Sequence, residues 1–395
     1  IYHTSMNQLS IAGDLKIPNF FQMNNINYSA NYKPDPQGYD DEIQSVFASA
    51  ELSWRNQLYL TVTGRNAWDS KLAYSKHPSF FYPSVGLSAV LSDMLELPEV
   101  ISYAKIRGSY TIVASSFDRF LTNPGYVYNA QTHNWENPTV YPMDDMKPEK
   151  TKSWEIGLNL KFWENRFNLD ATYYRSNTLN QTFSVDIPPS SGYNKAIVQA
   201  GNVQNQGVEL MVNLTPVRTK DWTWDLGFTF TKNMSEVKEL WEGTDEYSYT
   251  NWRGVYYVLK VGEPVGMFRI PAANKVMDEN SPYYGYNIVN NNGYLSDSNT
   301  EYEYVGSSEA KFNMGFNTTL KWKGFTLSAS ADWRKGGYML SNTSYISHFN
   351  GNSTQTVFNE RNSFIYPHSV KVVNGQYVEN NIPVRADEMY NALGN

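Results

Sequence analysis

The sequence predicts an all-β chain, and more narrowly a run of antiparallel strands from a transmembrane β-barrel. Three observations predict it. Apolar and polar residues alternate with period two in paired runs, the pattern of strands with one apolar and one polar face. The connections between those runs alternate strictly between tight turns and long loops, as in outer-membrane barrels. Aromatic residues reach 15% while charged residues reach only 18% and mean hydropathy is −0.53. A lipid-facing belt with aromatic girdles around a wet interior predicts that mixture.

In chain order, residues 1–42 are a loop-rich lead-in, full of Asn, Pro, Gly and Asp. Alternation begins at Ile43, with Val46, Ala48, Ala50, Leu52 and Trp54 on one face. A turn at Arg55–Gln57 reverses the chain into Leu58, Leu60 and Val62. Strands follow over Val85–Leu91 and around Ala104–Ile112, joined by Ser92–Val100 with room for one helical turn before Pro98. The clearest hairpin places Trp154, Ile156, Leu158, Leu160 and Phe162 opposite Phe167, Leu169, Ala171 and Tyr173 across a turn at Glu164–Arg166. Val208, Leu210, Val212 and Leu214 lead through Arg218–Asp221 to Trp222, Trp224, Leu226, Phe228 and Phe230. Residues 236–308 read as a large extracellular loop with one short strand near Val255–Leu259. The last pair, Phe312–Trp322 and Phe325–Trp333, turns at Lys323-Gly324. The barrel portion therefore covers 43–337. Residues 338–395 form an extracellular loop region with a small hairpin, SVKVVNGQYVE, whose Asn374-Gly375 suits a type I′ turn.

Those are ten strands in five hairpins. Short turns lie on the periplasmic side of such barrels and long loops outside, which puts the turns near Asn56, Asn165, Lys220 and Gly324 in the periplasm. The apolar set faces lipid and the polar set lines the lumen. A soluble secreted all-β protein that binds carbohydrate is the rival, and it offers no reason for the alternation of turn lengths.

Composition excludes several functions. A net charge of −7 without basic clusters argues against nucleic acid as a partner. No cysteine is present, which removes disulfides, thiolate catalysis and thiolate metal sites. His3, His77, His133, His348 and His368 are scattered without metal-ligand spacing, and no Walker loop, G-x-G-x-x-G or G-x-S-x-G occurs. Asp144-Asp145 and Asp40-Asp41-Glu42 could be imagined as paired carboxylates for acid/base work, and a solvated loop explains them better. The expectation is no enzyme, no cofactor and no bound metal.

The strands also carry a family likeness. DMKPEKTKSWEIGLNLKFWENRFNLDATYY, PPSSGYNKAIVQAGNVQNQGVEL, VGEPVGMFRI and EYVGSSEAKFNMGFNTTLKWKGFTLSASADWRKGG occur in that order. VFASAELSWRNQLYLTVTGRNAWDSKL and ISYAKIRGSY precede them. Together they resemble the SusC/RagA-like TonB-dependent outer-membrane transporters of Bacteroidetes. The resemblance implies a 22-stranded barrel in the outer membrane, of which this chain supplies about ten strands. It implies a plug domain, which is not present in this chain, so that the chain reads as an internal piece. It implies a SusD-like surface lipoprotein as lid and energy delivered by TonB through a segment absent here. It departs from the family at NNNGYLSDSNTEYEYVG, where members often carry an Asp-rich, calcium-loop-like run. Asn290, Asn291 and Asn292 stand where a hard cation wants carboxylates.

The implied function is import of an oligomeric nutrient, a glycan first and a peptide second. A surface carbohydrate-binding protein without transport is the rival function. The candidate ligand-binding residues are loop aromatics: Trp135, Tyr141, Trp241, Trp252, Tyr256 and Tyr257. Their rings offer flat faces to sugar C–H groups among many Asn side chains. Girdle anchoring or loop packing, including packing against a lid protein, explains any single one of them better, while the group as a whole is expected to include some that face the ligand.

Overall fold

A computed structural model of the chain describes residues 1–10, 14–22, 25–27, 35–129, 134–143 and 145–392. They form two compact units, Ile1–Thr244 with Phe312–Trp333, and Asp245–Lys311 with Arg334–Asn395.

In the first unit the strands follow one unbroken antiparallel path. They are β1 (Tyr2–Ser10), β2 (Asp35–Trp54), β3 (Leu58–Asp69), β4 (Ser79–Val90), β5 (Ile101–Ser115) and β6 (Glu149–Phe162). The path continues through β7 (Phe167–Asp186), β8 (Lys195–Arg218), β9 (Trp222–Glu239), β10 (Phe312–Trp322) and β11 (Phe325–Lys335). A short strand, Val140–Tyr141, lies parallel against the start of β8. Strands β2 to β11 are the ten that alternation predicts. Strand β1 is additional: Tyr2–Ser10 pairs with Asp35–Ile43 inside the stretch expected to be loop.

Register sorts the side chains into two faces. Trp54 aligns with Leu58, Ala89, Ile106, Leu158, Ala171, Leu210, Phe230 and Met314, strand after strand. Leu52, Leu87, Ile106, Ile156 and Phe316 on this face are exposed, as a surface solvated by lipid requires. The face ends in aromatics beside the tight turns. Trp222 stacks on Trp322 at 5.4 Å, Trp322 on Phe325 at 5.9 Å, and Phe162 meets Phe167 at 5.6 Å. At the other end of the same strands Phe312 meets Trp333 at 5.4 Å and Phe230 at 5.8 Å. From Trp322 to Phe312 the chain rises about 23 Å at the usual strand tilt, close to the apolar band of about 25 Å in such barrels.

Strands β7 and β8 run to 20 and 24 residues, well beyond the roughly ten that hydrocarbon requires. Their upper parts therefore project past the membrane. There the chain builds a small core from Ala67, Leu72, Phe80, Phe117, Met146 and Ile197. The loop after β5 is tied to it: Arg119 Nε donates to both carboxylate oxygens of Asp41 at 2.8 and 2.9 Å and lies 3.4 Å from the Tyr39 ring. Ser116 donates to Asp69 at 2.6 Å, and Ser75 to the Met146 carbonyl at 2.8 Å.

Residues 236–308, expected as a large loop with one short strand near Val255–Leu259, contain that strand and three partners. Glu246–Trp252, Val255–Lys260, Met267–Ala273 and Asp297–Ser307 make a four-stranded antiparallel sheet. The expected hairpin forms as Ser369–Val373 and Gln376–Glu379, with φ of 50° at Asn374 and 80° at Gly375. It joins Asn287–Ile288 in a three-stranded sheet. Two short helices, α1 (Asn342–Phe349) and α2 (Ala386–Ala392), lie in the remainder of this unit.

Candidate ligand-binding surface

The face of the first unit opposite the lipid belt is polar and internally bonded. Arg107 aligns with Gly157, and Gly157 with Thr172. The guanidinium reaches across the middle strand to donate to Asp170 Oδ1 at 2.9 Å, Asp170 Oδ2 at 3.2 Å and Thr172 Oγ1 at 2.6 Å. Asn159 donates to Asp170 Oδ2 at 2.8 Å from the strand between. The crossing needs a glycine, because a Cβ at Gly157 would lie 2.5 Å from Arg107 Nε. Tyr174 repeats the device. Its hydroxyl passes over Gly207 to donate to Asn233 Oδ1 at 2.9 Å, and a Cβ at Gly207 would meet that hydroxyl at 2.6 Å. Asn317 lies over Gly227 in the same way, 2.5 Å from where a Cβ would stand.

The six candidate aromatics fall three in each unit. In the first, Trp135 sits on the strand Asn134–Glu136 with its ring 5.3 Å from Tyr128, and both rings are exposed. Tyr141 is exposed and meets Tyr193 edge-on at 5.2 Å. Trp241 packs on Phe183 at 5.3 Å and is only partly exposed, the geometry of loop packing. In the second, Trp252 lies 5.5 Å from Tyr345, and Tyr257 is wedged between Phe268 and Tyr249 at 5.5 and 6.4 Å. Tyr256 points to the other face of its strand.

That face of the four-stranded sheet gathers groups the sequence did not single out. Arg269 pairs across the sheet with Tyr256 and with Tyr304. Its guanidinium carbon stands 4.8 Å from the Tyr256 ring and 3.9 Å from the Tyr302 ring. Arg269 Nη1 donates to Glu246 Oε1, and the Tyr304 hydroxyl to Glu246 Oε2. Lys260, the cross-strand partner of Glu246, holds its ammonium 3.9 Å from the Tyr304 ring. Tyr302 and Tyr304 remain 37% and 41% exposed. Their signal in the sequence is the alternating Glu-Tyr-Glu-Tyr of residues 301–304, too short to stand out within 236–308.

The groups considered for chemistry are otherwise occupied. Asp41 is held by Arg119, and Asp145 lies 3.5 Å from His77, while Asp144 and His133 lie outside the described residues. Asn290 Oδ1 accepts from the backbone of Asn292 and Tyr294 at 2.9 and 3.1 Å, turning inward on its own loop. Among the described residues no three His, Asp or Glu side chains converge on a point where a metal would sit. What these surfaces offer is contact: flat rings, fixed cations and amides, suited to holding a molecule.

A family model described as "TonB dependent receptor-like, beta-barrel" matches residues 4–258. The chain belongs to this family. It is 28% identical over 330 residues to the TonB-dependent receptor SusC of Bacteroides thetaiotaomicron, covering 77% of this chain and 32% of that relative. It is 24% identical over 336 residues to TonB-dependent receptor P3 of Formosa agariphila, covering 78% and 33%. The chain thus spans about a third of the length of these relatives. Among solved structures it is similar to the RagAB peptide importer in its open-open state, with a TM-score of 0.71, 19% identity and coverage of 87% of this chain and 38% of that one. The resemblance to SusC/RagA-like barrels stands, and the lipid belt described above belongs in a bacterial outer membrane.

Proposed function

We propose that this chain forms the wall and part of the extracellular mouth of a TonB-dependent importer of an oligomeric nutrient, a glycan in the first instance. The observation that carries the proposal is the division of labour between the two faces and the mouth. One strand face is a lipid belt, the other a fixed polar surface, and exposed rings such as Trp135, Tyr128 and Tyr141 lie on short strands in the connection between β5 and β6. Rings of that kind suit sugar faces, and the Asn-rich loops around them supply donors and acceptors for hydroxyls. A SusD-like lipoprotein would close over the mouth and TonB would supply the energy. No bond is made or broken by the protein in this reading.

A peptide is the second reading, since the similar RagAB structure is of a peptide importer. Mass spectrometry of material co-purifying with the intact transporter separates the two. Oligosaccharide masses support the first reading, and a peptide mixture replaces it with the second. Uptake that persists after TonB is deleted would refute both.

A further inference from the structure

The tyrosine face of the four-stranded sheet carries an inference that rests on the glycan reading and narrows it. Three features of that face combine. Tyr302 and Tyr304 stand two residues apart on one strand, about 7 Å along it, with their rings on the same side. Both are among the exposed aromatics of the chain. Each is fixed by a cation at its ring, Arg269 at 3.9 Å from Tyr302 and Lys260 at 3.9 Å from Tyr304. Glu246 is the carboxylate that faces both cations, so the positive charge of the cluster exceeds the negative by one. Glu301 and Glu303 alternate to the opposite side of the strand and do not cancel it.

We propose that this face is a binding site for an anionic oligosaccharide, one whose sugar rings carry carboxylates. Sugar C–H faces lie on Tyr302 and Tyr304, and a ring carboxylate pairs with the Lys260 ammonium. Charge complementarity selects the ligand: a neutral glycan leaves the excess cation unused. Flatness argues for sugar over an acidic peptide. The surface is built on paired strands and presents rings rather than a hole in which a peptide side chain would lodge.

The test uses the detergent-solubilised transporter that carries this chain, titrated with trigalacturonate, with neutral galactotriose and with a glutamate-rich tripeptide. Trigalacturonate is expected to bind at least about tenfold more tightly than galactotriose. Lys260→Met should reduce that preference about fivefold, the upper end for an ion pair near solvent. Tyr302→Ala and Tyr304→Ala should weaken both sugars, and Tyr304→Phe should bind like the unmutated protein. Heat-modifiable migration on a gel checks that each variant is folded, and Lys260→Met, a solvent-side change, keeps the test open if a Tyr variant fails that check. Equal affinity for the two sugars, or a preference untouched by Lys260→Met, overturns the proposal while leaving glycan import standing. Binding of the tripeptide alone overturns both.

Discussion

Leu226→Arg tests the assignment of faces on which the rest depends. Leu226 lies on β9, aligned with Leu214 on one side and Thr318 on the other. Thr318 sits between Trp322 and Phe312 on β10, the aromatics that mark the two edges of the belt. Four strand residues at the usual tilt place Leu226 about 9 Å above the Trp222–Trp322 stack, with about 14 Å of belt still above it. That is close enough to the midplane for an Arg to bear most of the cost of about 2–4 kcal/mol measured for cations on the lipid face of barrels. Thr231→Arg is the control on the other face, at the upper edge of the belt. Thr231 is on the opposite face, aligned with Glu209, so the new cation enters a wet surface beside a carboxylate and costs within about 0.5 kcal/mol. The assay is outer-membrane yield together with heat-modifiable gel migration of the full transporter. Leu226→Arg should fall well below Thr231→Arg in both. Equal assembly of the two variants would falsify the assignment of lipid and lumen.

Other substitutions probe the polar wall, the mouth and the turns. Gly157→Ala forces a methyl to 2.5 Å from Arg107 Nε; loss of the Arg107–Asp170 bonds should cost about 1.5–3 kcal/mol, read as a lower midpoint of thermal unfolding in detergent. Asp41→Asn removes the anion that Arg119 grips. Protease should then cut within residues 116–146 sooner, with barrel migration unchanged; an unaltered cleavage pattern would remove the tether from the account. Trp241→Ala should destabilise through lost packing on Phe183, about 0.5–1.5 kcal/mol from the ring pair itself, whereas Trp135→Ala should leave stability alone and weaken ligand. Gly375→Val puts a branched side chain at a φ of 80° and should cost about 1–2 kcal/mol, seen as faster hydrogen exchange in Ser369–Glu379.

Legibility in the sequence follows the solvent on each face. Between the two aromatic edges one side of a strand meets lipid and the other meets water, so composition must alternate, and β2 to β11 announce themselves. Above the membrane neither side meets lipid and the rule lapses. Residues 175–186 and 195–207 extend β7 and β8 with mixed Asn, Gln, Thr and Ser, which look like loop in a string of letters. Strand β1 has only a weakly apolar side: Tyr2, Thr4 and Met6 alternate with His3, Ser5 and Asn7. The sheet that carries Tyr302 and Tyr304 is hidden differently, its short alternating run Glu301–Tyr304 standing inside a stretch rich in Asn, Gly and Tyr that reads as loop. Of the six candidate aromatics, Tyr256 led to the most developed surface, but its companions there, Arg269, Lys260 and Glu246, come from strands whose pairing no local pattern reveals. Turn chemistry was the exception, since Asn374-Gly375 needs only its own two residues to declare a hairpin.

The glycines beneath Arg107, Tyr174 and Asn317 have a consequence for whatever passes along this wall. A side chain that crosses a glycine lies down on the backbone instead of standing out from it. Clearance over those strands is then set by the thickness of a guanidinium or a phenol lying on its side, and the reach of the side chain is spent sideways, lacing neighbouring strands together. A large residue at such a position narrows the passage less than its volume suggests. Replacing the glycine would lift the crossing group into the path, so the smallest residue on the wall governs how far the largest one protrudes.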